Sequence, residues 1–150
     1  MKYRFLAKDE YSLFNKTIRE HYNNFPPIIY NDLITAHILI IYKTDPNVPL
    51  GYLVLEKKSR DELCVHLLYV FPMYRRMRVA SNILDYILNI FKEKIIYGFC
   101  PVNNYEAFSF LSTKAKWLSK DMKKPVEANK YKTNIYRNEK LNCYEFIIRG

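Results

Sequence analysis

The chain has 150 residues, 49% hydrophobic and 26% charged, a globular composition that excludes a disordered polypeptide. Its formal net charge is +9 and its isoelectric point is about 9.4. That balance favours an anionic partner, whether nucleic acid, a phosphorylated cofactor or an acidic protein. No apolar run approaches the ~18 residues of a membrane span, and MKYRFLAKDE lacks a secretory apolar core. A cytoplasmic protein without a membrane partner is therefore expected.

Taken in chain order, residues 2–7 (KYRFLA) read as a first short strand. Residues 9–22 place Leu13, Phe14, Ile18 and Tyr22 near helical spacing, with acids in the first turn. Phe25-Pro26-Pro27 ends that helix, because proline cannot continue it. Residues 28–36 fit a second short helix or a loop. Two apolar, β-branched runs, 36–44 and 50–58, flank Asp45-Pro46-Asn47-Val48-Pro49 and read as a hairpin. A third run, 62–71, follows another polar turn. These strands are apolar at nearly every position, which calls for a sheet covered on both faces.

The stretch 63–91 carries the most information. An apolar strand, a proline and an arginine-rich turn lead into a helix over 79–94, with Ala80, Ile83, Leu84, Ile87, Leu88 and Phe91 on one face. A turn at a helix N-terminus offers free N–H groups and a positive dipole end to an anion. The alternative is a solvated basic turn. The short apolar run 95–100 completes a strand–helix–strand unit with parallel strands and a right-handed crossover. Asn103 or Asn104 caps a helix running to about Lys116. Residues 142–150 alternate as a last strand.

Between them, residues 117–140 mix lysines with Trp117, Tyr131 and Tyr136. That mixture suits phosphate contacts with base stacking, and equally a solvated connection. Cys64, Cys100 and Cys143 are odd in number and far apart, so reduced, buried thiols are expected. His21, His37 and His66 lack metal-ligand spacing, and no metal is expected.

With Leu68-Tyr69-Val70-Phe71-Pro72, then Arg75-Arg76-Met77-Arg78-Val79-Ala80, then Ser81-Asn82-Ile83-Leu84, the chain resembles the GNAT superfamily of acyl-CoA-dependent N-acyltransferases. That family carries Arg/Gln-x-x-Gly-x-Gly/Ala after its fourth strand. A second family feature, Asn-x-x-Ala-x-x-Phe-Tyr, matches at Asn104, Ala107 and Phe110, and Gly51 sits where the third strand often has glycine. The resemblance spans nearly the whole chain.

It implies an α/β fold in a single GNAT-like domain over residues 1–150. A mixed central sheet of about six to seven strands would be flanked by helices on both faces. It also implies acetyl-CoA as co-substrate, held by the loop Arg75, Arg76, Met77, Arg78, Val79, Ala80 and Ser81. The backbone of Leu68, Tyr69 and Val70 and the side chain of Asn104 complete the implied acyl-CoA contacts. The implied reaction transfers an acetyl group to a primary amine, on a small molecule or a protein lysine or N-terminus, by direct attack.

The chain departs from the family pattern at three points. Arg78 replaces the signature glycine, Leu111 stands where a tyrosine commonly serves as general acid, and Cys64 lies near the position of a basic glutamate. His66, two residues beyond Cys64, is the candidate base by virtue of its intrinsic pKa, and Tyr105 is the candidate acid. A core histidine and a surface tyrosine are the bland alternatives. These losses also fit a different reading: a catalytically inactive GNAT-fold protein whose basic surface contacts nucleic acid or a protein assembly.

Overall fold

A computed structural model describes residues 1–14, 16, 36–118, 125–126, 137–140 and 142–149. The strands are β1 (Lys2–Phe5), β2 (Ala36–Tyr42), β3 (Gly51–Lys57), β4 (Glu62–Val70), β5 (Ile95–Pro101), β6 (Lys116–Leu118), β7 (Pro125–Val126), β8 (Arg137–Asn138) and β9 (Cys143–Arg149). The α-helices whose two ends lie among the described residues are α1 (Val79–Ile90) and α2 (Tyr105–Lys114). Contacts divide the chain into one unit of Met1–Lys57 with Leu67–Tyr86 and another of Lys58–His66 with Ile87–Gly150. Strand β4 and helix α1 each contribute to both.

In the first unit the expected hairpin forms. β2 and β3 pair antiparallel from Ala36↔Glu56 to Ile41↔Gly51, and β1 adds antiparallel to β2 from Lys2↔Tyr42 to Phe5↔Leu39. Proline presets the turn between β2 and β3. The Asp45 side chain accepts from Asn47 N–H at 2.9 Å, and the Asp45 carbonyl accepts from Val48 N–H at 3.0 Å. Ile38, Leu39, Ile40 and Ile41 are at most 1% exposed, and Leu53, Val54 and Leu55 are fully buried. Alternate residues of a strand face opposite ways, so both faces of this hairpin are covered, as its continuous apolarity requires.

On one face Ile38, Ile40, Tyr52, Val54 and Phe71 join Leu6 and Tyr11 in a core cluster. Tyr52, Tyr69 and Phe71 form an aromatic triangle with ring centroids 5.3–6.0 Å apart. The buried Tyr52 hydroxyl has no hydrogen-bond partner among the described residues, and burial pushes its pKa up, keeping it neutral.

In the second unit β4 and β5 run parallel, registered from Glu62↔Ile95 to Val65↔Gly98. β9 pairs antiparallel with β5, then β6 with β9 and β7 with β6, while β8 also lies on β9. Asn104 is the cap of α2, its side-chain oxygen accepting from Ala107 N–H at 3.1 Å. Leu111 and Ala115 pack with Cys100 and Phe146. All three cysteines are buried and none forms a disulfide.

The architecture is the expected α/β arrangement around a mixed sheet. Among the described residues it has seven strands of three or more residues and two of only two residues each. Several boundaries differ. Helix α1 ends at Ile90, four residues early, because the chain must turn before Ile95 N–H reaches the Asp61 carbonyl at 2.7 Å. The stretch 117–140 is not wholly a connection, since pairing with β9 makes a strand of Lys116–Leu118. Residues 8–10 form a 3-10 turn and residues 11–14 are helical. The rest of the helix expected over 9–22, and the segment 28–35, lie outside the described residues. No helix among the described residues is long and apolar enough to cross a membrane.

Gly51 fixes how closely β3 approaches β4. A Cβ there would stand 2.7 Å from the Tyr69 carbonyl oxygen and 3.3 Å from Val70 Cα, so backbone would have to move. Gly51→Ala is expected to lower the unfolding free energy by about 1–3 kcal/mol, read as a lower urea midpoint. An unchanged midpoint would show that the two strands part freely at this point.

Candidate functional site

The segment that reverses the chain between β4 and α1 lies within the first unit. Phe71 is fully buried and its N–H donates to the Leu50 carbonyl at 3.1 Å, which anchors the end of the strand. Pro72 then opens a 3-10 turn, Pro72–Tyr74, suiting the fixed φ of proline. Tyr74 N–H donates to Phe71 at 2.8 Å and Arg75 N–H to Pro72 at 3.3 Å. Beyond this turn the backbone becomes unusual. Arg76 has φ 64° and Arg78 has φ 59°, both in the left-handed region that favours glycine.

Helix α1 follows directly, its first hydrogen bond running from Asn82 N–H to the Arg78 carbonyl at 3.0 Å. Val79 is 2% exposed and anchors the helix start. The N–H groups of residues 76–81 have no acceptor among the described residues. Some of these are the donors that every helix leaves open at its N-terminus; the left-handed turn adds more. This is a row of donors at the positive end of a twelve-residue helix.

The side chains around it are cationic. Arg75 folds back on the strand end, its Nε donating to the Val70 carbonyl at 3.0 Å. Its guanidinium carbon lies 5.6 Å from the centroid of the Tyr69 ring. Arg76 and Arg78 are exposed. Leu68, Tyr69 and Val70 are half-buried in the strand that leads into the turn. Thus Leu68–Val70 and Arg75–Ser81, expected together from sequence, all belong to one unit.

His66, Asn104 and Tyr105 belong to the other unit. His66 is exposed, which removes the core-histidine alternative, and it follows Val65, the last residue of β4 registered with β5. Tyr105 is 71% exposed at the first position of α2. Asn104 spends its side-chain oxygen on capping that helix, leaving its amide group for other contacts. Leu111 and Cys64, which the resemblance sets at or near the positions of the family's acid and base, are both buried. Among the described residues no group of three or more His, Cys, Asp or Glu side chains could hold a metal ion.

Two features were not readable beforehand. The tie from Arg75 to Val70 depends on the 3-10 turn, which leaves no periodic trace in sequence. The left-handed backbone at Arg76 has no local signal either, since glycine and asparagine are the residues that mark it. At position 78 only the displaced family glycine pointed to it.

Residues 6–112 match the description of the acetyltransferase (GNAT) family. The chain belongs to the GNAT acetyltransferase family. Solved GNAT structures share its fold at low identity. One, described as a GNAT-family acetyltransferase from Bacteroides thetaiotaomicron, is 13% identical with a TM-score of 0.64, over 100% of this chain and 88% of that one. The PaiA N-acetyltransferase of Thermoplasma acidophilum, solved with coenzyme A, is 12% identical with a TM-score of 0.62, over 100% of both chains. The ribosomal-protein-S18-alanine N-acetyltransferase of Escherichia coli is 11% identical with a TM-score of 0.59, over 97% of this chain and 89% of that one. Comparison with curated protein sequences returns no significant match.

In this GNAT chain, Arg78, which the resemblance sets at the family's signature glycine, has a left-handed backbone that glycine adopts readily. Arg78→Gly is therefore expected to leave stability unchanged or raise it by up to about 1 kcal/mol, relief of strain being partly offset by the freer unfolded chain. Arg78→Val, β-branched in the left-handed region, should lower it by about 1 kcal/mol or more. Denaturant midpoints of the two variants decide. A clear loss of stability in the glycine variant would mean that the arginine side chain itself holds the loop.

Proposed function

We propose that the protein is an acyl-CoA-dependent N-acetyltransferase that moves an acetyl group from acetyl-CoA to a primary amine by direct attack. The observation that carries this reading is the left-handed φ of 59° kept at Arg78, in a loop whose N–H groups at 76–81 have no acceptor among the described residues. A backbone that bears this strain without glycine fits a cradle for phosphate. In this reading Arg75–Ser81 hold the phosphates, the edge of β4 at Leu68–Val70 aligns the pantetheine arm, and the Asn104 amide adds a contact.

Positioning supplies much of the acceleration in such a reaction. The amine nitrogen bonds to the acetyl carbon while the carbon–sulfur bond breaks, and donors near the carbonyl oxygen stabilise the charge that develops there. The attacking amine gives up a proton to His66 as general base, directly or through water. The departing thiolate takes one from Tyr105 or solvent. The acceptor is a primary amine on a small molecule or on a protein lysine or N-terminus. Among structural neighbours, an Arabidopsis thaliana Naa50 was solved with a bisubstrate analogue joining CoA to a peptide, which makes peptide N-termini one class to try. Three buried, unbridged thiols suit a reducing cytoplasm.

Calorimetric titration with acetyl-CoA is expected to show saturable one-to-one binding. Thiol release measured over polyamines, lysine peptides and peptide N-termini should then identify the acceptor class. His66→Gln is expected to lower kcat by about 10²–10⁴ with little change in acetyl-CoA affinity. Tyr105→Phe should cost less than about tenfold, since water competes with an exposed hydroxyl as proton donor. Absence of acetyl-CoA binding by the wild-type chain would sink the enzyme reading and favour a binding role for the fold.

A further inference from the structure

In the second unit, strand β5 has two unlike faces. Ile96, Gly98 and Cys100 are buried, and Cys100 packs with Phe146 and with Leu111 of α2. Ile95, Tyr97 and Phe99 alternate onto the other face, where Ile95 and Phe99 are each 38% exposed. Tyr97 is half-buried, and its ring meets that of Phe99 edge-on with centroids 6.3 Å apart. On β9, Ile147 stands opposite Tyr97 and extends the apolar patch by one strand. Contiguous apolar surface of this kind on a sheet marks a place where something docks.

The two rims of this face carry opposite charges. The strands lie in the order β4-β5-β9-β6. Register sets Glu62 of β4 beside Ile95 at one rim and Lys116 of β6 beside Ile147 at the other. A half-turn about an axis parallel to the strands, between β5 and β9, lays the apolar strands of two copies on each other. It also brings the Lys116 rim of each copy against the Glu62 rim of the other. A half-turn about an axis across the strands would instead oppose like charges. A polyanion fits the face less well, because Glu62 and Glu145 both lie on it; the Glu145 carboxylate, opposite Phe99, accepts from Asn138 Nδ2 at 3.0 Å.

We propose that this face binds a second copy of the chain, through Ile95, Tyr97, Phe99 and Ile147, about a two-fold axis parallel to the strands. Glu62 and Lys116 pair across both rims, so the same patch serves both copies. The proposal does not depend on the acyl-CoA reading, since no residue of the loop 75–81 takes part. His66 alternates onto the same face beyond the registered pairs, so the second copy would border it. Four strands spaced about 4.8 Å apart span only about 15 Å. That falls short of the roughly 800 Å² per partner of a standard interface, and a dissociation constant on the order of 10–100 μM is expected.

Sedimentation velocity of the full chain, from about 5 to about 500 μM, tests this. The weight-average mass should rise from one chain toward two, and Phe99→Lys should stay monomeric throughout. Glu62→Lys makes both rims basic and Lys116→Glu makes both acidic, so each alone should weaken self-association about five- to tenfold. Mixed in equal amounts at low salt, these two variants should associate more tightly than either does alone, and salt should shrink the difference. If Phe99→Lys does not fold, the two charge variants carry the test. A wild type that stays monomeric, association that survives Phe99→Lys, or a mixture no tighter than its components overturns the proposal.

Discussion

Everything specific to this molecule depends on one steric constraint: a chain leaving an extended strand must reverse and enter a helix within eight residues, without glycine. The interval from Phe71 to Arg78 solves it in two stages. Pro72 starts a tight turn that swings Arg75 back onto the strand it has just left. Two left-handed residues then set the direction of α1. Among the described residues the N–H groups at 76–78 are left without an acceptor by this turn, and those at 79–81 are the open donors of any helix start. The row of open N–H donors and the left-handed backbone share one origin.

The packing beneath the loop is correspondingly firm. Phe71 and Val79, at the two ends of the reversal, are both buried, and the contact of β3 with β4 admits no side chain at Gly51. Tyr69 and Phe71 stack into the same aromatic triangle that fills one face of the hairpin. Strain between two such anchors is held by burial on either side, which is how a local backbone cost is maintained in a folded protein.

Much of this was legible in the sequence where a long pattern met a clear stop. The hairpin of β2 and β3 was readable because two continuous apolar runs bracket Asp45-Pro46-Asn47, whose side-chain chemistry makes a turn. Helix α1 was readable from its periodic face, though Phe91 continued the period past the true end. Strand β6 was not readable. Its three residues carry no period, and it exists because β9, some thirty residues later, pairs with it. At the site, family spacing pointed to loop 75–81, and alternation pointed to His66 as a residue of β4. Which arginine is tied to the strand, and which stand clear, depends on a turn geometry that residue identity does not encode.

The placement of the described glycines has a consequence for motion. Gly98 lies in mid-strand under the Phe146 ring, whose nearest atom would be 2.6 Å from a Cβ, and Gly51 lies at the start of β3 against a carbonyl. Both serve close packing, so neither is available as a hinge. The turn between β2 and β3 is closed instead by proline and aspartate, and the one before α1 by proline and by arginines already in their less-populated wells. Loops of this kind have few cheap alternative conformations to visit. A ligand would therefore meet donors already aimed, and the ordering entropy of the cradle would have been spent at folding, not at binding.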